Sequence, residues 1–211
     1  LDGAIQVRSS RGRVDVQQGD ALEVRPDLEL VVDLPGLDVN SAGIPPSQWH
    51  ISLKAPDAER PSWSLRADAT ALKDRVRAGV RATLEPTTRA VRARVTFAPV
   101  ELSPGGLQPV DLDPRLASLQ DVTGKIAAVA ELRWSGGELR SSHADVTLSS
   151  LGFRSSGAAL EGLGGVIHLA SLSPLASSPG QTLDAAGLDV AGIRFREPHV
   201  RFALTSEGMQ V

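Results

Sequence analysis

Between Val122 and Trp134 the chain sorts its side chains by parity. Val122, Ile126, Ala128, Ala130, Leu132 and Trp134 stand on one parity, and Thr123, Lys125, Glu131 and Arg133 on the other. In an extended strand successive side chains leave on opposite faces, so this pattern specifies a strand with one apolar and one polar face. At about 3.3 Å per residue the stretch runs about 43 Å, against a usual strand of about 5–6 residues. A second such stretch runs from Leu72 to Leu84, with Val76, Ala78, Val80, Ala82 and Leu84 opposite Lys73, Arg75, Arg77, Arg81 and Thr83. In a third, Arg89 to Phe97, the residues Val91, Ala93, Val95 and Phe97 oppose Arg92, Arg94 and Thr96. Pro86-Thr87-Thr88 lies between them, so the pair reads as one long hairpin.

Shorter strands of the same kind are expected at Ile5–Arg8, Arg13–Gln17, Ala21–Arg25, Leu28–Leu34, Trp49–Lys54, Trp63–Ala67, Ala144–Leu148, Val166–Leu169, Leu188–Val190 and Val200–Leu204. Only Asp113–Leu119 looks helical, with Asp113 as cap, Pro114 at the first helical position, and Leu116 and Leu119 three apart. The glycine pairs Gly105-Gly106, Gly136-Gly137 and Gly164-Gly165 read as hairpin turns. The fold expected is all-β and antiparallel with one short helix, in two segments, 1–106 and 107–211, of one continuous structure. The chain begins at Leu1 without a basic segment and apolar run behind it, and reads as a piece of something longer. No apolar run approaches the roughly 20 residues of a spanning helix, so any membrane anchor is expected outside it.

The apolar residues are 27 Leu, 26 Ala, 20 Val and 6 Ile against 4 Phe, 3 Trp and no Tyr, too few rings to stack sugars or single-stranded nucleic acid. A net charge of -3 supplies no global field for a polyanion, so no nucleic-acid partner is expected. The absence of Cys removes disulfides, thiol nucleophiles and Cys-ligated metals, and no cofactor is expected. His143 and Asp145 share a strand face at the spacing of a metal pair or of a base with its orienter, without a third ligand nearby. Capping and turn chemistry accounts for Asp111 and Asp113. The serine pairs at 141–142, 149–150 and 155–156 lack a Gly-x-Ser-x-Gly elbow, and no phosphate-binding glycine loop is present. The sequence therefore does not read as an enzyme. Between Arg60 and Arg94, nine Lys/Arg face three Asp/Glu. Either this is the solvated face of the long hairpin, or Arg75, Arg77, Arg81, Arg92 and Arg94 meet anionic headgroups or an acidic partner.

From Leu107 to Leu204 the order of features is familiar: Leu116-Ala117-Ser118-Leu119, then Val122-Thr123-Gly124-Lys125 with the long strand, a glycine pair and a second strand. Leu160-Glu161-Gly162-Leu163-Gly164-Gly165 follows, then Leu172-Ser173-Pro174-Leu175 with Pro179-Gly180-Gln181, the most specific element. This half resembles the C-terminal "dicarboxylate transport" region of YdbH-like proteins, of the AsmA-like superfamily of the Gram-negative envelope. The resemblance implies an inner-membrane-anchored protein of the periplasm whose elongated, strongly curved sheet forms an open hydrophobic groove for phospholipid acyl chains. It also implies a small envelope lipoprotein as partner, and it carries over no catalytic motif.

The residues suit that implication for reasons of their own. A smooth face of Val, Leu and Ala, free of fixed hydrogen-bonding groups, lets hydrocarbon slide. The dry interior of a β-sandwich alternates in the same way, and the pattern alone leaves both open. The groove residues expected are Val76, Val80, Leu84, Val91, Val95, Phe97, Ile126, Ala128, Leu132, Trp134, Val146 and Leu148, with Phe153, Ile167 and Leu169 after them.

Overall fold

The computed structural model describes residues 6–18, 22–34, 37–39, 42–44, 46–56, 62–112, 114–155, 157–206 and 208–210. Eight strands come first: β1 (Gln6–Gln18), β2 (Leu22–Leu34), β3 (Leu37–Val39), β4 (Ala42–Ile44), β5 (Ser47–Lys54), β6 (Trp63–Ala71), β7 (Val76–Glu85) and β8 (Ala90–Leu102). A short helix α1 (Pro109–Leu112) and a 3-10 turn (Pro114–Leu116) interrupt them. The three longest strands follow, β9 (Gln120–Ser135), β10 (Glu138–Ser155) and β11 (Ala158–Leu172). Short ones close the chain: β12 (Leu175–Ser177), β13 (Gln181–Asp184), β14 (Gly187–Val190), β15 (Ile193–Arg196), β16 (His199–Thr205) and β17 (Gly208–Gln210).

β3 and β4 pair with each other, and the other strands form one 15-stranded sheet in the order β1-β2-β5-β6-β7-β8-β9-β10-β11-β13-β16-β17, with β12 and β14 also on β11 and β15 on β14. The described ladders are antiparallel and the sheet is not closed. The fold is thus all-β with one short helix, as the alternation predicts. The chain gathers into two compact units, residues 1–37, 45–96 and 131–141, and residues 38–44, 97–130 and 142–211.

In the first unit the predicted strand pairs at 5–8 and 13–17, and at 21–25 and 28–34, are continuous as β1 and β2. Pro26 does not break β2, where it lies opposite Val14 in the β1 ladder. Ile5 and Ala21 lie outside the described residues. The strand expected from Leu72 begins instead at Val76. Leu72, Lys73 and Asp74 all take left-handed φ values of 51°, 58° and 64°, which turns β6 into β7 and places Arg75 in that turn.

In the second unit the helix sits earlier than the sequence suggests. Pro109 takes the first helical position, and the Asp111 carboxylate accepts the Gln108 backbone N–H at 2.8 Å, the back-reaching half of a capping box. Asp113 lies outside the described residues, as does Ser156. In the first unit, Gly136-Gly137 forms the two-residue turn between β9 and β10 with φ of 62° and 84°, as expected. In the second, the next pair, Gly164-Gly165, is not a turn but lies inside β11. There β11 exchanges neighbours: Glu161 pairs with Gly187 of β14, Gly164 with Asp184 of β13, and Leu169 with Ser177 of β12. A Cβ on Gly165 (φ 137°) would stand 2.7 Å from a Leu183 methyl, so a side chain there would be strained and would displace Leu183.

Two glutamines close the ladders where strands run out. Gln181, 8% exposed, accepts the His168 N–H through Oε1 at 2.5 Å and donates through Nε2 to the carbonyls of His168 and Ser178, each at 3.1 Å. Gln108 does the same to Val122: Oε1 accepts its N–H at 3.0 Å and Nε2 donates to its carbonyl at 2.9 Å. Each side-chain amide replaces one residue of a missing strand. This explains the Pro179-Gly180-Gln181 element, in which Gly180 (φ 66°) turns the chain so that Gln181 faces β11. Leu172-Ser173-Pro174-Leu175 is the neighbouring hairpin, with Leu172 opposite Leu175.

Candidate functional site

In the first unit the registers assemble the apolar parities of four strands, β2, β5, β6 and β7, into one face. Leu28 of β2, Leu53, Leu65 and Ala82 lie in one cross-strand row. Leu30, Ile51, Ala67 and Val80 form the next, and Val32, Trp49, Ala69 and Ala78 a third. Trp63 lies opposite Leu84, and Val76 opposite Ala71. Val91 and Val95 on β8, and Leu132 and Trp134 on β9, stand on the corresponding apolar parity and are half-buried. Sequence reasoning missed the contribution of β2, β5 and β6, namely Leu30, Ile51, Leu53 and Leu65. Their alternation was visible, but their strands are short enough to belong to any β protein.

Among the described residues of the first unit, no second layer packs on this face. Every substantial contact between described elements of the first unit is between neighbours in the ladder. Val32, Ala67 and Ala69 are 5–7% exposed, yet no large side chain is fully buried anywhere among the described residues. A β-sandwich buries its inner faces against each other, and the described elements of the first unit do not favour that reading.

The remaining expected groove residues lie in the second unit. Val146 of β10 faces Ile167 of β11 directly, Ala144 faces Leu169, and Phe153 faces Leu160. Leu148 lies opposite Gly165. Val146, Leu148, Phe153, Ile167 and Leu169 are half-buried, as are Ile126 and Ala128 on β9. Phe97 is 46% exposed and Leu84, in the first unit, 38%. The face here too is an apolar surface in partial contact with solvent rather than a core.

The opposite face is polar. Arg66 lies opposite Arg81, and Ser64 opposite Thr83. The Arg66 guanidinium pairs with Asp68 at 2.9 Å and that of Arg94 with Glu131 at 2.6 Å. At one margin Asp33 accepts from Gln48 at 3.1 Å and from Arg8, and these bonds, Gln48 first, hold its carboxyl below the ordinary range. Asp145, next but one to His143, bonds His168 across the ladder at 2.7 Å, and Asp184 bonds His199 in the same way at 2.5 Å. Among the described residues no three His, Asp or Glu side chains converge as metal ligands, and no helix is long and apolar enough to cross a membrane.

The sequence profile of the YdbH-like family, described as intermembrane phospholipid transport protein YdbH, matches residues 1–210. No curated protein and no solved structure matches the chain. The chain belongs to the YdbH-like family, and the match extends through the first half, where the motif resemblance did not reach.

Proposed function

We propose, from that membership, that this chain is a segment of a β-structured conduit that carries phospholipid between two membranes, with acyl chains lying along the aliphatic face. The observation that carries the reading is that face itself: in the first unit, a Val, Leu, Ile and Ala surface across β2, β5, β6 and β7 that no described element of the unit covers. An uncovered apolar patch of this extent is costly in water unless something apolar visits it. The chemistry is non-directional, so chains of different length and saturation slide with little change in energy. In the first unit the face that takes acyl chains is built from Val76, Val80, Leu84, Val91, Val95, Leu132 and Trp134 and extended by Leu30, Ile51, Leu53 and Leu65; in the second it is built from Phe97, Ile126, Ala128, Val146 and Leu148. The work is transport without a catalytic step, in the periplasm, with an inner-membrane anchor elsewhere in the protein. Arg75, Arg77, Arg81, Arg92 and Arg94 suit anionic headgroups or an acidic partner, and a small envelope lipoprotein belongs to the same reading.

The test is site-specific photocrosslinking. A photoreactive residue at Ala128, Ala130 or Val80 is expected to form adducts with phospholipid in cells, and one at Thr123 or Arg133 is not. Equal labelling of both faces, or labelling of neither, would refute the track.

A further inference from the structure

The polar face of the first unit carries a recess of about 520 Å³ at which six cationic residues meet, among small hydroxyls, Glu131 and the apolar Leu65, Ala82, Ala93 and Leu132. Its floor is Ser64 and Thr83, opposite each other on β6 and β7. Around these short side chains stand Arg66, Arg81, Arg92 and Arg133, with the Arg94–Glu131 pair beside them. Arg66 is partly offset by Asp68, whereas Arg81, Arg92 and Arg133 make no ion pair among the described residues. Lys54 also reaches the recess, but Asp27 lies opposite it in the ladder, so the excess charge concentrates on β6 to β9.

This arrangement is unfavourable by itself. Arg66 and Arg81 are direct cross-strand neighbours, and like charges so placed destabilise a sheet. Long side chains around small hydroxyls also leave a hollow where the face could have been filled. Both features are relieved by one kind of occupant: an anion with several oxygens, taking guanidinium forks from the wall and hydroxyl donors from the floor. Three unpaired arginines exceed the charge of one phosphodiester.

We propose that this recess binds a ligand carrying two or more phosphate charges, as a phosphomonoester or polyphosphate. The site goes beyond the transport reading: it gives Arg81 and Arg92, which that reading leaves between headgroups and an acidic partner, one class of ligand. Arg66 and Arg81 stand on the polar parity of their strands, next to Ala67 and Val80 of the apolar row.

The experiment is calorimetric titration of the protein with sodium tripolyphosphate, alongside sedimentation with phosphatidylcholine vesicles containing or lacking phosphatidic acid. The double variant Arg81→Gln, Arg92→Gln is compared with Arg11→Gln, which lies on β1, four strands from β7. Saturable tripolyphosphate binding is expected, weakened at least tenfold in the double variant and unchanged in Arg11→Gln, with folding intact by circular dichroism. Vesicle binding that needs phosphatidic acid and the same arginines identifies a lipid headgroup as the source; tripolyphosphate binding alone identifies a soluble phosphate. Lack of binding to both probes at low salt overturns the proposal. So does an equal loss in Arg11→Gln, which means a diffuse field, or tighter binding of an octaglutamate peptide, which means an acidic protein. If the double variant does not fold, Thr83→Val, which removes only the floor hydroxyl, is expected to weaken tripolyphosphate several-fold, and an unchanged affinity overturns the proposal.

Discussion

Replacing Val80 by Asp separates an open apolar track from a closed core. Val80 lies in the row Leu30, Ile51, Ala67, Val80, and it is half-buried. Were this face dry, an unpaired carboxylate would cost several kcal/mol beyond the lost valine. On an uncovered face the carboxylate keeps water. The loss is then about half of a full Val burial, about 1 kcal/mol, plus at most about 1 kcal/mol of strand preference. At about 2–4 °C per kcal/mol for a chain of this size, the total of about 2 kcal/mol lowers Tm by about 4–8 °C. The assay pairs a thermal melt with phospholipid extraction from gently purified protein. Val80→Asp is expected to stay folded with that modest shift and to lose its phospholipid, whereas Glu85→Gln, on the polar parity of the same strand, keeps it. A fall of more than about 15 °C would mean that the face is buried against something, and an undiminished phospholipid yield would mean that acyl chains lie elsewhere.

Three further outcomes follow from particular contacts. Gln181→Leu leaves the His168 N–H unpaired, while its carbonyl keeps the Ser178 N–H at 3.0 Å; urea unfolding should show a loss of about 1–3 kcal/mol, and a loss well below about 1 kcal/mol would mean that water substitutes for the amide. Gly124→Ala puts a methyl 2.6 Å from the Ser150 carbonyl oxygen and 2.8 Å from the Leu151 Cα at φ 109°, so a loss of about 3 kcal/mol is expected in the same assay, and tolerance would disprove the close approach of β9 and β10. The Asp33 carboxyl titrates below its ordinary value, so its contribution to stability is full above about pH 3.9 and is lost as pH falls through the lower folded value; Gln48→Ala should raise that value toward the ordinary one in a carbon-13 carboxyl titration, and no movement would remove Gln48 as the main cause.

The long strands were legible because hydrophobic parity persists: thirteen alternating positions have few structural solutions, and β9 realises them with Val122, Ile126 and Leu132 on one side and Lys125 and Arg133 on the other. What was not legible is longer in range. The strand breaks expected near Ser9-Ser10 and Pro26 are absent because a partner ladder holds the backbone extended through residues with weak strand preference. The helix at Pro109 was missed for the opposite reason: Pro114 carries the same local signal, and the bond from Gln108 to Asp111 decides between them. Gly164-Gly165 looked like a turn because glycine permits one, but its use here is the close crossing of Leu183. The basic recess was half visible. Arg81, Arg92 and Arg94 stood out as charge, whereas Arg66 and Arg133 joined them only through the registers that bring β6, β7, β8 and β9 side by side.

The first unit raises the question of what holds it, since its described residues lack the interior that stabilises an ordinary domain. Half-burial on one face supplies part of the hydrophobic term, and saturated ladders supply the rest, so an unpaired backbone group is proportionally more damaging here than in a globule. The second unit meets the same demand: two glutamine side chains stand in for strand residues at Val122 and His168, and Ser142 and Ser177 accept the Leu172 and Leu204 N–H groups at 3.0 and 2.8 Å. The same economy ties stability to cargo. Hydrocarbon lying on the aliphatic face removes apolar area that the fold leaves wet, and by linkage anything that binds only the folded sheet stabilises it. A conduit of this kind therefore cannot be made more stable by filling its face with larger side chains without also covering the surface that its cargo uses, and the Val, Ala and Leu composition keeps that face apolar but thin.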